Sequence, residues 1–200
     1  MPAQSSVHFY LNWAKERIDE MDAVLASLEG KTGEIEADLR TRADRALADL
    51  REKRDDFQNL VKKQSESNEA AWISTKAKLD ADWGRFEADL RRYVESFGKH
   101  IRQQQSIFQL QADAQLKAWR DAADSLSAAA QEFATERRGD IDATVTRMKA
   151  EAGAAEERLR KLSQAGTESW SVLMTALNET RAVFDRANQS AREAFKKAAA

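Results

Sequence analysis

Residues 65–97 read SESNEAAWISTKAKLDADWGRFEADLRRYVESF, and residues 163–195 read SQAGTESWSVLMTALNETRAVFDRANQSAREAF. Laid over one another without a gap, they place Trp72 on Trp170, Leu79 on Leu177, Phe86 on Phe184 and Phe97 on Phe195, a constant offset of 98 residues. The same offset carries Leu28 onto Leu126, Lys63 onto Lys161 and Ser65 onto Ser163. It also pairs apolar with apolar: Ile18 with Leu116, Met21 with Trp119, Ile35 with Phe133, Leu47 with Val145, Leu50 with Met148 and Val61 with Leu159. Such a chain reads as two copies of one helical unit, and the repeat decides the fold. The offset is close to a whole number of helical turns, so matched Leu and Ala count for little and the rarer Trp and Phe carry the weight.

Composition supports long helices. The 200 residues contain one Pro, Pro2, and seven Gly; a third of them are charged, and Ala is abundant. A compact α/β enzyme needs more turn residues than this to punctuate its elements. The net charge of −2 shows no basic excess, so nucleic acid is not an expected partner. With no Cys there is no disulfide or thiolate metal site, which fits a reducing compartment. Met1–Ser6 lacks the pattern of a signal peptide, and no run reaches the roughly 18 apolar residues of a membrane span. The expectation is a soluble cytoplasmic protein.

Ser5 or Ser6 is a candidate cap for the first helix. Apolar residues then keep helical spacing through Leu11, Ile18, Met21, Leu25, Leu28, Ile35, Leu39, Ala46, Leu50, Phe57 and Val61. An eleven-residue series, Leu28, Leu39, Leu50, Val61, Trp72, Trp83 and Val94, favours nearly straight or slightly right-handed packing. Glu36–Arg40, Asp38–Arg42 and Asp49–Lys53 set acids four residues before bases and mark a wet face. Three stretches can interrupt the helices. Gly30-Lys31-Thr32-Gly33 faces Ala128-Ala129-Ala130-Gln131 in the second copy, a run of good helix formers, so the helix is expected to run through the glycines. Ser65–Asn68 and Ser163–Gly166 are turn-like in both copies; Gly166 suits a left-handed helix cap, with Thr167 starting the next helix. Phe97-Gly98-Lys99-His100 falls at the junction of the copies.

Catalytic and ligand motifs are missing from the sequence. His8 and His100 are the only histidines, outside any zincin or Glu-x-x-His arrangement. Glycines form no phosphate-cradling loop, and carboxylates mixed with Lys and Arg read as a solvated face. The doublets Lys62-Lys63, Arg91-Arg92 and Arg137-Arg138 lie beside acids and read as rim charges. Arg138-Gly139-Asp140 spells an integrin-type tripeptide that reads as chance, with Asp140 a candidate helix cap. The tryptophans, Trp13, Trp72, Trp83, Trp119 and Trp170, read as bundle core, the alternative being a face that docks on lipid or a granule. No catalytic, cofactor-binding or metal-binding residue is assigned, and no cofactor or small-molecule substrate is expected.

Residues 10–21, 47–57 and 71–83 together resemble small bacterial coiled-coil proteins, often described as stress-response or hypothetical, with a long charged helix followed by a Trp-rich one. The pattern more distantly resembles apolipoprotein-type eleven-residue repeats, and residues 184–195 are similar to phasins, which coat storage granules. These resemblances imply a non-enzymatic coiled-coil structural or interaction protein, stress-related and self-associating or paired with another helical protein. The alternative they imply is an amphipathic lipid- or granule-surface binder. The expected fold is all-α, with long antiparallel coiled-coil hairpins in two tandem copies forming an elongated bundle. Residues 1–98 would hold a long helix at about 6–64 and a shorter one at about 68–97, and residues 99–200 a long helix at about 100–163 and a shorter one at about 167–197. The runner-up is a spectrin-like three-helix repeat with a real turn at Gly30–Gly33.

Overall fold

A computed structural model describes residues 3–65, 67–97, 101–166 and 168–200, and the side chains of all these except residues 3–8 and 101–103. The described residues form an all-α fold: α1 (Ala3–Glu29), α2 (Ala37–Gln64), α3 (Glu69–Phe97), α4 (Ile101–Ala130), α5 (Thr135–Ala165) and α6 (Trp170–Ala199). α1 begins ahead of Ser5 and Ser6, so neither serine is its cap. His100, the rest of the 98–100 junction and Thr167 lie outside the described residues.

The expected continuous helix over 6–64 is corrected. α1 stops at Glu29, a short 3-10 turn spans Thr32–Glu34, and α2 starts at Ala37. The helix expected over 100–163 is likewise broken, between Ala130 and Thr135. The glycines alone do not explain this, since Ala128, Ala129 and Ala130 favour helix and the chain turns directly after them. Propensity is worth only tenths of a kcal/mol per residue, whereas a stripe running the length of an unbroken helix would go uncovered unless the chain folded back. Both breaks are closed in the same manner. Lys31 N–H donates to Leu28 O at 3.1 Å in the first and Gln131 N–H to Ala128 O at 3.1 Å in the second. Arg40 Nη2 then donates to Gly33 O and Ile35 O, both at 3.2 Å, while Arg138 Nη1 donates to Gln131 Oε1 at 2.7 Å. Arg40 and Arg138 are themselves 98 residues apart, as are the starts of α1 and α4, Ala3 and Ile101, and of α2 and α5, Ala37 and Thr135.

The eleven-residue series is interrupted twice, between Leu28 and Leu39 and again between Val61 and Trp72, so it cannot set the packing of one straight helix. Its members are nevertheless buried or partly buried. At the two remaining turns the expectation and the structure agree. Asn68 Oδ1 accepts from Ala71 N–H at 3.0 Å and caps α3. Gly166, at φ 68°, caps α5, and Ser169 Oγ accepts from Val172 N–H at 3.4 Å to start α6. Asp140 is inside α5 and caps nothing; its carbonyl accepts from Thr144 Oγ1 at 2.8 Å and its carboxylate pairs with Lys197.

Two neighbouring apolar clusters form the core. The first draws on α1, α2 and α3 and on parts of α4, α5 and α6; the second joins Phe9 to α4, α5 and α6. Aromatic pairs tie the helices: Tyr10 stacks on Trp72 at 5.6 Å, Trp119 meets Phe184 edge-on at 5.5 Å, and Phe133 meets Phe195 at 5.7 Å. All five tryptophans are buried. α1 touches α2, α3, α4 and α6, which makes it the central helix.

Gly166 is the described glycine whose backbone needs the left-handed region. Gly166→Ala is expected to destabilise the protein by about 1 kcal/mol, because a Cβ is strained at that φ. Gly33→Ala, with no atom within 4 Å of the added carbon, is expected to be neutral or slightly stabilising. Urea unfolding of the two variants beside wild type checks both.

Candidate functional site

The burial of α1 sets up the most unusual feature of the molecule. Trp13, Arg17, Glu20 and Val24 share one helical face, being four, three and four residues apart, and Glu16 lies beside them. In the middle of the bundle this places Glu16 at 1% exposure, Arg17 at 4% and Glu20 at 0%. Three ionisable groups on the central helix are therefore withdrawn from water, and each requires partners from its neighbours.

α6 supplies most of them. The Arg17 guanidinium forks onto Asp185, with Nη1 to Oδ1 at 2.9 Å and Nη2 to Oδ2 at 2.7 Å, and its Nη1 also donates to Glu16 Oε2 at 2.7 Å. In return Arg181, 5% exposed, forks onto Glu20, with Nε to Oε1 at 3.1 Å and Nη2 to Oε2 at 2.8 Å. Arg181 Nη1 further donates to Glu87 Oε1 of α3 at 3.0 Å and to Asn178 Oδ1 at 2.6 Å. From α4, Gln111 Nε2 donates to Glu20 Oε2 at 3.4 Å, and Gln115 Nε2 donates to Leu177 O at 3.2 Å. The guanidiniums also lie on aromatic faces, Arg17 4.7 Å from the Trp13 ring centroid and Arg181 4.5 Å from that of Trp83. Bidentate geometry of this kind suits Arg and not Lys.

Electrostatics divides the acids. Burial pushes the Glu16 carboxyl well above the usual carboxylate range; Arg17 opposes this and the adjacent Glu20 adds to it. Glu20 is just as buried, but the charge and hydrogen bonds of Arg181 outweigh its desolvation and hold its pKa below the ordinary value. Glu87 is raised by burial against the pull of Arg181. A neutral acid beside an ionised one is what two carboxyls in one dry site must become.

No group of three or more His, Cys, Asp or Glu among the described residues is placed to hold a metal ion. The surface grooves are open ones. One between α5 and α6 is lined by Leu162, Val172 and Ala176 with Arg158 and Glu157, and another lies between α2 and α3 around Lys53, Asp89 and Tyr93. The basic doublets lie away from the buried cluster. Arg92 pairs with Asp89 and Arg138 with Asp142 on the outside. In comparisons with known proteins, no family model, curated protein or solved structure matches this chain.

The carboxylates do not all form the expected solvated face: Glu16 and Glu20 are buried together with Arg181, and none of the three is an expected site residue. The signal was present. Arg17 and Glu20 interrupt an apolar stripe between Trp13 and Val24, and Arg181 interrupts another between Leu177 and Phe184. At the 98-residue offset Arg181 corresponds to Trp83, Asp185 to Glu87, Arg17 to Gln115 and Glu20 to Ala118.

Removing one member of a buried pair strands the other. Arg181→Met, which keeps the apolar stem, is expected to cost about 3–5 kcal/mol at neutral pH. Arg158→Met, which breaks a half-exposed pair with Glu179, is expected to cost about 0–1 kcal/mol. Chemical denaturation of the two variants side by side tests the contrast.

Proposed function

We propose that this chain is a non-enzymatic structural or interaction protein, cytoplasmic, self-associating or paired with another helical protein. In this reading it is built as two tandem copies of one helical unit, 1–98 and 99–200, whose successive helices run antiparallel. The contact pairs support that arrangement. Arg158 meets Glu179 while Lys197 meets Asp140, so later residues of α6 face earlier residues of α5. Arg51 with Glu29 and Arg54 with Asp22 do not contradict the same sense for α1 and α2.

The observation that carries the functional reading is that the apolar stripes are covered from within the chain. What faces outward is a mixed-charge surface laced with pairs such as Lys15–Asp19, Lys76–Asp80, Arg120–Glu156 and Lys149–Asp124. Among the described residues the exposed large apolar side chains, Ile73, Leu110 and Val172, sit on three different helices. A surface of this kind suits polar, reversible contacts with a folded partner. No helix among the described residues is long and apolar enough to cross a membrane. The alternative, an amphipathic lipid- or granule-surface binder, needs the aromatic faces to leave the core, at roughly 1.5–3 kcal/mol for each large side chain uncovered.

Light scattering joined to small-angle scattering over a concentration series tests the proposal. A mass that rises with concentration at constant helicity is expected. Vesicles or polymer granules added at low salt are expected to leave the protein in the supernatant. Co-sedimentation with a change in Trp emission would replace the interaction reading with the surface-binding one.

A further inference from the structure

The ion cluster at the centre of the bundle has more acid than base. Glu16 faces Arg17 and Glu20 on its own helix and Arg181 on α6; Asp185 on α6 and Glu87 on α3 pair with those arginines, and the uncharged Gln111 and Gln115 of α4 complete the cluster. α2 meets α1 through Arg51 and Arg54, which pair with Glu29 and Asp22 further along that helix. Four carboxyls thus share two guanidiniums. Asp185 and Glu87 sit toward the rim, with side chains 37% and 20% exposed, so water can share their charge. Glu16 and Glu20 have no such relief.

Of the four oxygens on those two buried carboxyls, Glu16 Oε2 takes a hydrogen bond from Arg17 and both Glu20 oxygens take one from Arg181. Glu16 Oε1 receives none from the protein, and the nearest Arg181 nitrogen is 3.7 Å away. An ionised oxygen is costly there, whereas a hydroxyl donating to the neighbouring Glu20 carboxylate is satisfied.

We propose that Glu16 carries a proton on Oε1, donated to Glu20, and that this proton is a pH-sensitive latch locking α6 against α1. Its loss to solvent leaves two adjacent buried carboxylates. Their repulsion loosens the contacts of α1 with α6, which join the two halves of the chain. The proposal goes beyond the interaction role and does not depend on it.

The raised pKa of Glu16 agrees with this placement and fixes the sign. The folded protein holds the proton more tightly than the unfolded chain does. Its contribution to stability is therefore complete below the ordinary glutamate range and lost as pH rises through the raised folded value. Glu20, with a lowered pKa, acts oppositely and is lost on the acid side. Glu87 is raised and adds to the alkaline loss.

Urea unfolding between about pH 5 and pH 9 reads the latch, since one differentially bound proton changes the folding equilibrium constant by up to tenfold per pH unit. Glu16→Gln supplies a permanent N–H donor to Glu20. It is expected to flatten the alkaline decline by up to that one-proton slope, while Glu87→Gln leaves the Glu16 share in place. An E16Q variant that keeps the wild-type slope overturns the proposal. Infrared spectroscopy of the wild-type protein at neutral pH is expected to show a protonated carboxyl band, and its absence overturns the proposal even if E16Q does not fold. Spin labels on Ala26→Cys and Gln189→Cys, exposed positions on α1 and α6, read the movement. Their distance distribution is expected to broaden with rising pH and to stay narrow when E16Q is added. A distribution independent of pH overturns the latch.

Discussion

The fork between Arg181 and Glu20 is the interaction on which the arrangement of the helices turns. α1 lies against four other helices, and a helix so enclosed would ordinarily be apolar all round. It instead brings Glu16, Arg17 and Glu20 inside. Coulombic attraction between buried charges seldom exceeds the cost of drying them, so the cluster is a poor source of stability by itself. Its value is discrimination. Hydrophobic contacts are indifferent to small rotations and to sliding by a turn, whereas two interlocking forks, Arg17 on Asp185 and Arg181 on Glu20, fit in one register.

Around that centre, apolar burial does the remaining work. The breaks after Glu29 and after Ala130 convert two long stripes into four shorter helices that can cover one another. Arg40 and Arg138 each bring a guanidinium back across the break that precedes their helix, to backbone carbonyls in one case and a glutamine side chain in the other. The same mechanical problem is solved at the same place in the sequence by different acceptors. The surface pairs contribute little energy, but they keep charge of both signs spread over the outside.

Much of this was legible in the chain. The all-α class follows from the scarcity of Gly and Pro and from apolar spacing, and the turns near Ser65 and Ser163 follow from residues that cap helices. The break after Glu29 is signalled by Gly30 and Gly33, the turn of the three-helix alternative, although the alanine run at the matching positions argues for a continuous helix. The break after Ala130 runs against propensity, since the chain turns directly after that alanine run and brings Phe133 against Phe195. The ionic cluster stayed hidden for a different reason. A charged residue on an apolar stripe is ambiguous until its partner is known, and Arg181 is 161 positions from Glu20.

Trp83 and Arg181 hold the same place at the 98-residue offset, and they lie face to face. An indole opposite an indole there would leave Glu20 without a counter-charge, and a guanidinium opposite a guanidinium would set two cations against one another. The junction therefore needs unlike side chains at these two positions, an aromatic face on α3 and a guanidinium on α6, and exchanging either for the other would undo it.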